Sequence, residues 1–158
     1  MAKNDNKFID SDEPNIDGLL MTGFVLGEAS FGIDARLVRE VVKVGKLTHV
    51  HDAQSDVIGI RNLRGHVITV IDLAVHFNLG AVEIGPDTRL LIMEHKGESF
   101  GFLVDAVSDA ITLERDKISR PPDNMNADLR NRLSGVWREN EKLTAILDPE
   151  KLFVFKDA

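Results

Sequence analysis

From Leu19 onward, apolar residues recur in short segments, roughly one every ten residues, separated by Gly, Asp, Asn or Lys. Within most segments apolar and polar positions alternate. That period places successive side chains on opposite faces of a strand and predicts an all-β barrel or sandwich. The predicted strands are Leu20–Leu26, Ser30–Asp34, Val42–His49, Val57–Leu63, His66–Ile71, Thr88–Glu94, Ser99–Val104, Ala106–Leu113, Gly135–Glu139 and Leu143–Leu147. A few short helices interrupt them. Asp34 can cap a turn over Ala35–Val38, and Asp72 a helix over Leu73–Asn78, with Gly80 placed for the positive φ of a helix end. Asp148-Pro149-Glu150 puts a cap, a proline and an acid at the start of Pro149–Phe155. The least regular stretch runs from Arg115 to Leu133, with Pro121-Pro122-Asp123-Asn124 as a rigid turn and Asn126–Arg132 as a brief helix.

Two stretches echo each other. Gly27-Glu28-Ala29-Ser30-Phe31-Gly32-Ile33-Asp34 matches Gly97-Glu98-Ser99-Phe100-Gly101-Phe102-Leu103-Val104-Asp105 in placing a polar turn before a Phe-Gly strand and an aspartate after it. Two similar lobes would explain this. So would coincidence, because turn chemistry selects such residues in unrelated hairpins.

Composition narrows the function classes. The chain has 158 residues, enough for one domain or for two small lobes sharing a core. It has no cysteine, which excludes disulfides and Cys-based zinc sites. A formal net charge of −7, with no more than two basic residues together, argues against nucleic acid and against anionic lipid as partners. No run approaches the roughly 20 apolar residues of a membrane span, so direct membrane insertion is not expected. Residues 1–17 are polar and acidic and read as a flexible N-terminal tail, or alternatively as a short amphipathic helix around Phe8 and Ile9. The folded domain is then expected over residues 18–158.

Candidate chemistry is thin. His49 and His51 share a strand face, with Asp52 and His66 near in sequence, but local spacing fixes no third metal ligand. Ser99 stands between Gly97 and Gly101 like a nucleophile elbow, yet the residues after it read as another strand rather than a long helix. Asp105 and Asp109 read as strand-end and turn residues. No phosphate-cradling loop or dinucleotide fingerprint occurs. These observations point away from an enzyme and give no metal and no cofactor.

The informative segment is Gly59-Ile60-Arg61-Asn62-Leu63-Arg64-Gly65-His66-Val67-Ile68-Thr69-Val70-Ile71-Asp72-Leu73. Two strands flank a tight Arg64-Gly65 turn, and Asp72 caps the helix after the second strand; the turn projects Arg64 from a hairpin tip. Taken alone, such an arginine is as readily a solvated turn residue. Together with Phe31-Gly32-Ile33-Asp34, Val38-Arg39-Glu40, Val104-Asp105-Ala106-Val107-Ser108-Asp109 and the closing Ala145-Ile146-Leu147-Asp148-Pro149-Glu150-Lys151-Leu152, the segment resembles the CheW-like chemotaxis coupling family, in the same order from about Leu20 to Phe153.

The resemblance implies two SH3-like five-stranded β-barrel lobes packed on a shared hydrophobic core, and no catalysis. It implies a cytoplasmic adaptor recruited to membrane receptor arrays. Its partners would be the regulatory domain of a CheA-type histidine kinase and the cytoplasmic tip of methyl-accepting chemotaxis receptors. Carried onto this chain, Arg64 matches a position tied to partner contacts, Gly59 and Val38 match positions tied to receptor coupling, and Arg39 and Glu40 flank Val38. Asn62, Leu63 and Gly65 would set the turn. Thr69, His51 and Gln54 stand where the family commonly has proline, leaving open a diverged member that serves a non-flagellar pathway. A small β-barrel binding a metal or ligand on the His49/His51 face is the alternative from another class.

Overall fold

The computed structural model describes residues 18–155, so the predicted tail over residues 1–17 lies outside it. Within these residues twelve strands form two sheets: β1 Gly18–Leu26, β2 Ala29–Asp34, β3 Glu40–Lys43, β4 Val57–Leu63, β5 His66–Asp72, β6 Arg89–His95, β7 Glu98–Val104, β8 Ala106–Val107, β9 Ile111–Glu114, β10 Ile118–Ser119, β11 Leu133–Glu139 and β12 Lys142–Leu147. Three helices of one turn each accompany them: α1 Leu73–His76, α2 Ala127–Arg130 and α3 Pro149–Leu152. One lobe has the strand order β3-β6-β7-β5-β4; the other runs β10-β11-β12-β2-β1, with β8 and β9 both paired to β1.

The lobes are built by exchange. Residues 18–77 and 89–153 are two halves of the same plan, in each case a hairpin, an edge segment, a second hairpin and an Asp-capped helix. The first hairpin of each half, β1–β2 or β6–β7, pairs with the other half's strands and not with its own. β5 runs parallel to β7 with Thr69 opposite Phe100, and β12 runs parallel to β2 with Ala145 opposite Phe31. The second hairpins match residue for residue: Gly59 faces Val70 after a bulge, and Gly135 faces Ile146 after a bulge. The echo between residues 27–34 and 97–105 therefore reflects structural duplication.

Alternation along each strand divides the core into three. Phe100, Phe102 and Val104 of β7 point into the seam between the lobes, joining Phe24, Phe31, Ile33, Leu91, Met93, Ala145 and Leu147 in the largest cluster. Leu103 points the other way, into its own barrel, with Val44, Ile68, Val70, Leu90 and Ile92. Met21, Leu113, Trp137 and Ile146 fill the second barrel. Glycine at positions 32 and 101 leaves those interiors room: a Cβ at Gly101 would lie 3.3 Å from both Ile68 and Ile92.

Several predicted elements change. The strand expected over Val42–His49 is displaced to Glu40–Lys43, because Gly45 at φ +68° turns the chain away; only Thr48 rejoins, as an isolated bridge to Ile60. The strand expected over Ala106–Leu113 is broken into β8 and β9, since the missing side chain of Gly23 lets Ser108 and Asp109 press inward; a Cβ there would meet Ser108 Oγ at 2.4 Å. The three helices are shorter than predicted, and α1 ends before Gly80, with Asn78 already at φ 61°.

Asp72 ties the seam side of one lobe together. Its carboxylate accepts the N–H groups of Ala74 (3.0 Å), Val75 (3.2 Å) and, ten residues on, Val82 (3.0 Å). Burial pushes this carboxyl above its usual range, and the three backbone donors pull against that shift. Asp72→Ala is expected to cost about 2–3 kcal/mol in urea denaturation, because it removes a cap and strands a partly buried donor. Asp72→Asn, which keeps an acceptor, should cost about half as much. An alanine variant as stable as the wild type would show that water replaces the carboxylate.

Candidate partner-binding surface

The β4–β5 hairpin pairs Leu63 with His66, leaving Arg64 (φ 52°) and Gly65 (φ 85°) as a two-residue loop. Positive φ at both central residues matches the right-handed twist of the flanking strands and makes a rigid reversal. Asn62 Oδ1 accepts the Gly65 N–H at 2.9 Å, and Leu63 packs half-buried against the barrel core. The arginine is thus held by its own backbone at an exposed tip.

Its side chain does not extend freely into solvent. Arg64 Nη2 pairs with Glu40 Oε1 on β3, and Arg39 Nη1 pairs with Glu94 Oε1 on β6. Glu40 continues the row of Val42, and Glu94 that of Leu90 and Ile92, so both pairs gather at one end of the barrel. All four side chains are at least one-third exposed, and such pairs contribute little to stability. They offer a partner two cations and two anions in fixed places. Val41 and Val67 add apolar surface on β3 and β5, 41% and 62% exposed.

The remaining sequence-derived positions lie elsewhere. Val38 sits half-buried against the seam, at the end of the 3-10 turn Ala35–Leu37. Gly59 is buried, and a Cβ on it would lie 2.6 Å from the Thr48 carbonyl oxygen, so it shapes the barrel and presents no surface of its own. Beside the 3-10 turn, the Arg36 guanidinium bonded to Asp34 holds that carboxyl below its usual range.

Arg61 was not among the candidates expected from sequence. Its Nη1 donates to the Lys43 carbonyl at 3.0 Å, joining β4 to β3 across the barrel opening, and Gly45 leaves it room, since a Cβ there would be 2.6 Å from Arg61 Nε. An arginine amid apolar β4 residues, with a glycine on a neighbouring segment, was the available signal. His49 and His51 stand ring to ring at 6.0 Å, both exposed. Among the described residues no group of three or more His, Cys, Asp or Glu gathers to hold a metal ion, and no helix among them is long and apolar enough to cross a membrane.

Comparison with known proteins accounts for this architecture. The family model described as the CheW-like domain matches residues 21–156. The chemotaxis protein CheW of Helicobacter pylori is 31% identical over 140 residues, covering 89% of this chain and 84% of that one. That of Bacillus subtilis is 29% identical over 131 residues, covering 83% and 84%. The crystal structure of the scaffolding protein TtCheW from Thermoanaerobacter tengcongensis superposes with a TM-score of 0.81 at 30% identity, covering 92% of this chain and 94% of that one. With its two exchanged lobes, its shared seam and a match over nearly its whole length, this chain belongs to the CheW-like family, as a non-catalytic adaptor of chemotaxis signalling.

Proposed function

We propose that this chain couples methyl-accepting chemotaxis receptors to a CheA-type histidine kinase, working in the cytoplasm at membrane receptor arrays. The kinase's regulatory domain docks at the Arg64 end of the β3–β7 lobe, and the receptor's cytoplasmic tip engages the seam near Val38. Coupling needs no covalent step. An adaptor that binds one arrangement of receptor and kinase more tightly than another shifts the population toward it. Each contact would bury about 800 Å² per partner around a few arginine or apolar anchors.

The observation that carries this reading is the Arg64 tip: a cation on a rigid two-residue loop, ion-paired to Glu40, on a lobe that also carries the Arg39–Glu94 pair and exposes Val41 and Val67. Arg64→Glu should weaken binding of the kinase regulatory domain by about 2 kcal/mol, roughly thirtyfold, in titration calorimetry. The double change Arg64→Glu with Glu40→Arg separates two roles. It rebuilds the ion pair with reversed polarity, so restored affinity would mean that Arg64 serves only its own lobe. Unchanged affinity in the single variant removes the tip from the interface.

A further inference from the structure

One difference between the two halves leaves a groove. In residues 89–153 the segment between Ser119 and Leu133 is long enough to form α2. Its counterpart lies between Thr48 and Val57, since the Cβ of Gly135 would meet the Ser119 carbonyl (2.8 Å) as that of Gly59 would meet Thr48's (2.6 Å). The first segment spans residues 120–132, thirteen positions; the second spans 49–56, eight positions, and holds no helix. The short loop is five residues shorter and has no room for the four that form α2.

What α2 does at its own site is visible. Phe31 packs on Phe77 with ring centroids 5.7 Å apart, and Leu129 and Met125 join them in the seam cluster. Asn126 caps the helix with its side-chain oxygen and donates its Nδ2 to the carbonyls of Phe77 (3.3 Å) and Asn78 (2.9 Å). The duplicated site repeats the floor with no helix over it; there Phe155 stacks on Phe100 at 5.6 Å and His95 lies parallel on Phe153 at 4.2 Å, which leaves part of the floor open. Phe100 packs on Phe153 at 5.6 Å, and Val57, Thr69 and Ile71 stand where Leu133, Ala145 and Leu147 stand at the covered site. Above them lies an open groove of about 370 Å³ with His95, Lys96 and Glu98 on its rim.

The geometry points to a docking site for a partner protein's short helical turn, one that presents leucine or methionine to Phe100 and Phe153 as α2 presents Leu129 and Met125 to Phe31 and Phe77. A polar side chain at the start of that turn finds an acceptor in the Phe153 carbonyl, the counterpart of Phe77's. The site lies apart from the Arg64 tip, and it rests on the duplication, not on the kinase reading.

The chain supplies its own probe, a synthetic peptide of residues 121–132. Added at millimolar concentration to the full chain, it should shift the NMR signals of Val57, Ile71, Phe100 and Phe153 and leave those of Phe31 and Phe77 in place. A peptide carrying Leu129→Asp should bind at least tenfold more weakly, and so should the protein variant Thr69→Trp, which fills the groove. Absence of shifts at the groove, or equal binding of both peptides, overturns the proposal. Magnetisation transfer from Phe8 or Ile9 to Phe100 in the free full chain would also overturn it, giving the groove to the chain's own N-terminal residues.

Discussion

Phe31→Ala is expected to lower the free energy of unfolding by about 4 kcal/mol, read from urea denaturation. Phe31 has no exposed surface; it stacks on Phe24 at 5.3 Å with the rings 10° from parallel and leans on Phe77 at 5.7 Å. Its removal leaves a cavity at the centre of the seam, walled by strands of both halves that cannot collapse without breaking register. The lost transfer free energy and the unfilled volume then add. Phe100 occupies the equivalent position opposite Thr69 but borders the open groove. Phe100 is 8% exposed and a cavity there opens to the groove, so Phe100→Ala should cost less, about 3 kcal/mol, mostly the transfer part. Equal losses in the two variants would mean that the duplicated sites are equally closed.

Gly59→Ala is the second large effect, with an expected loss of about 2–4 kcal/mol. The added methyl carbon would stand 2.6 Å from the Thr48 carbonyl oxygen, well inside van der Waals contact. That oxygen cannot yield cheaply. It accepts the Ile60 N–H at 2.8 Å while the Thr48 N–H donates to the Ile60 carbonyl at 2.8 Å, and this bridge helps close the barrel between its two edges. Gly85→Ala is the control, because a Cβ there meets nothing within 4 Å. A Gly59→Ala variant within about 0.5 kcal/mol of the wild type would show that the closing segment moves freely. The same substitution should reduce partner binding only in proportion to the folded fraction lost, since Gly59 is buried and its effect on a partner passes through the shape of the lobe.

Much of this was legible beforehand, for local reasons. The Arg64-Gly65 loop, the caps at Asp34, Asp72 and Asp148, and the alternation along β5, β7 and β12 depend on residues a few positions apart, so the chain displays them directly. Exposed termini of strands were harder. The break at residues 108–110 depends on Gly23, about eighty positions away, and the early end of β3 on Gly45 making room for Arg61. Neither neighbour is visible in a local pattern. Likewise Arg39 and Glu40 could be named as candidates, but their ion pairs with Glu94 and Arg64 join strands distant along the chain.

By itself the sequence determined the β class, the family and the repeated Phe-Gly strand, because period-two patterning, turn chemistry and ordered motifs are properties of neighbouring residues. Tertiary structure alone decided that each half lends its first hairpin to the other, that Gly59 lies inside the barrel wall, and that one of two duplicated sites stands open. The reason is that strand pairing across halves is set by burying one common seam, a condition on residues far apart that no local segment can express.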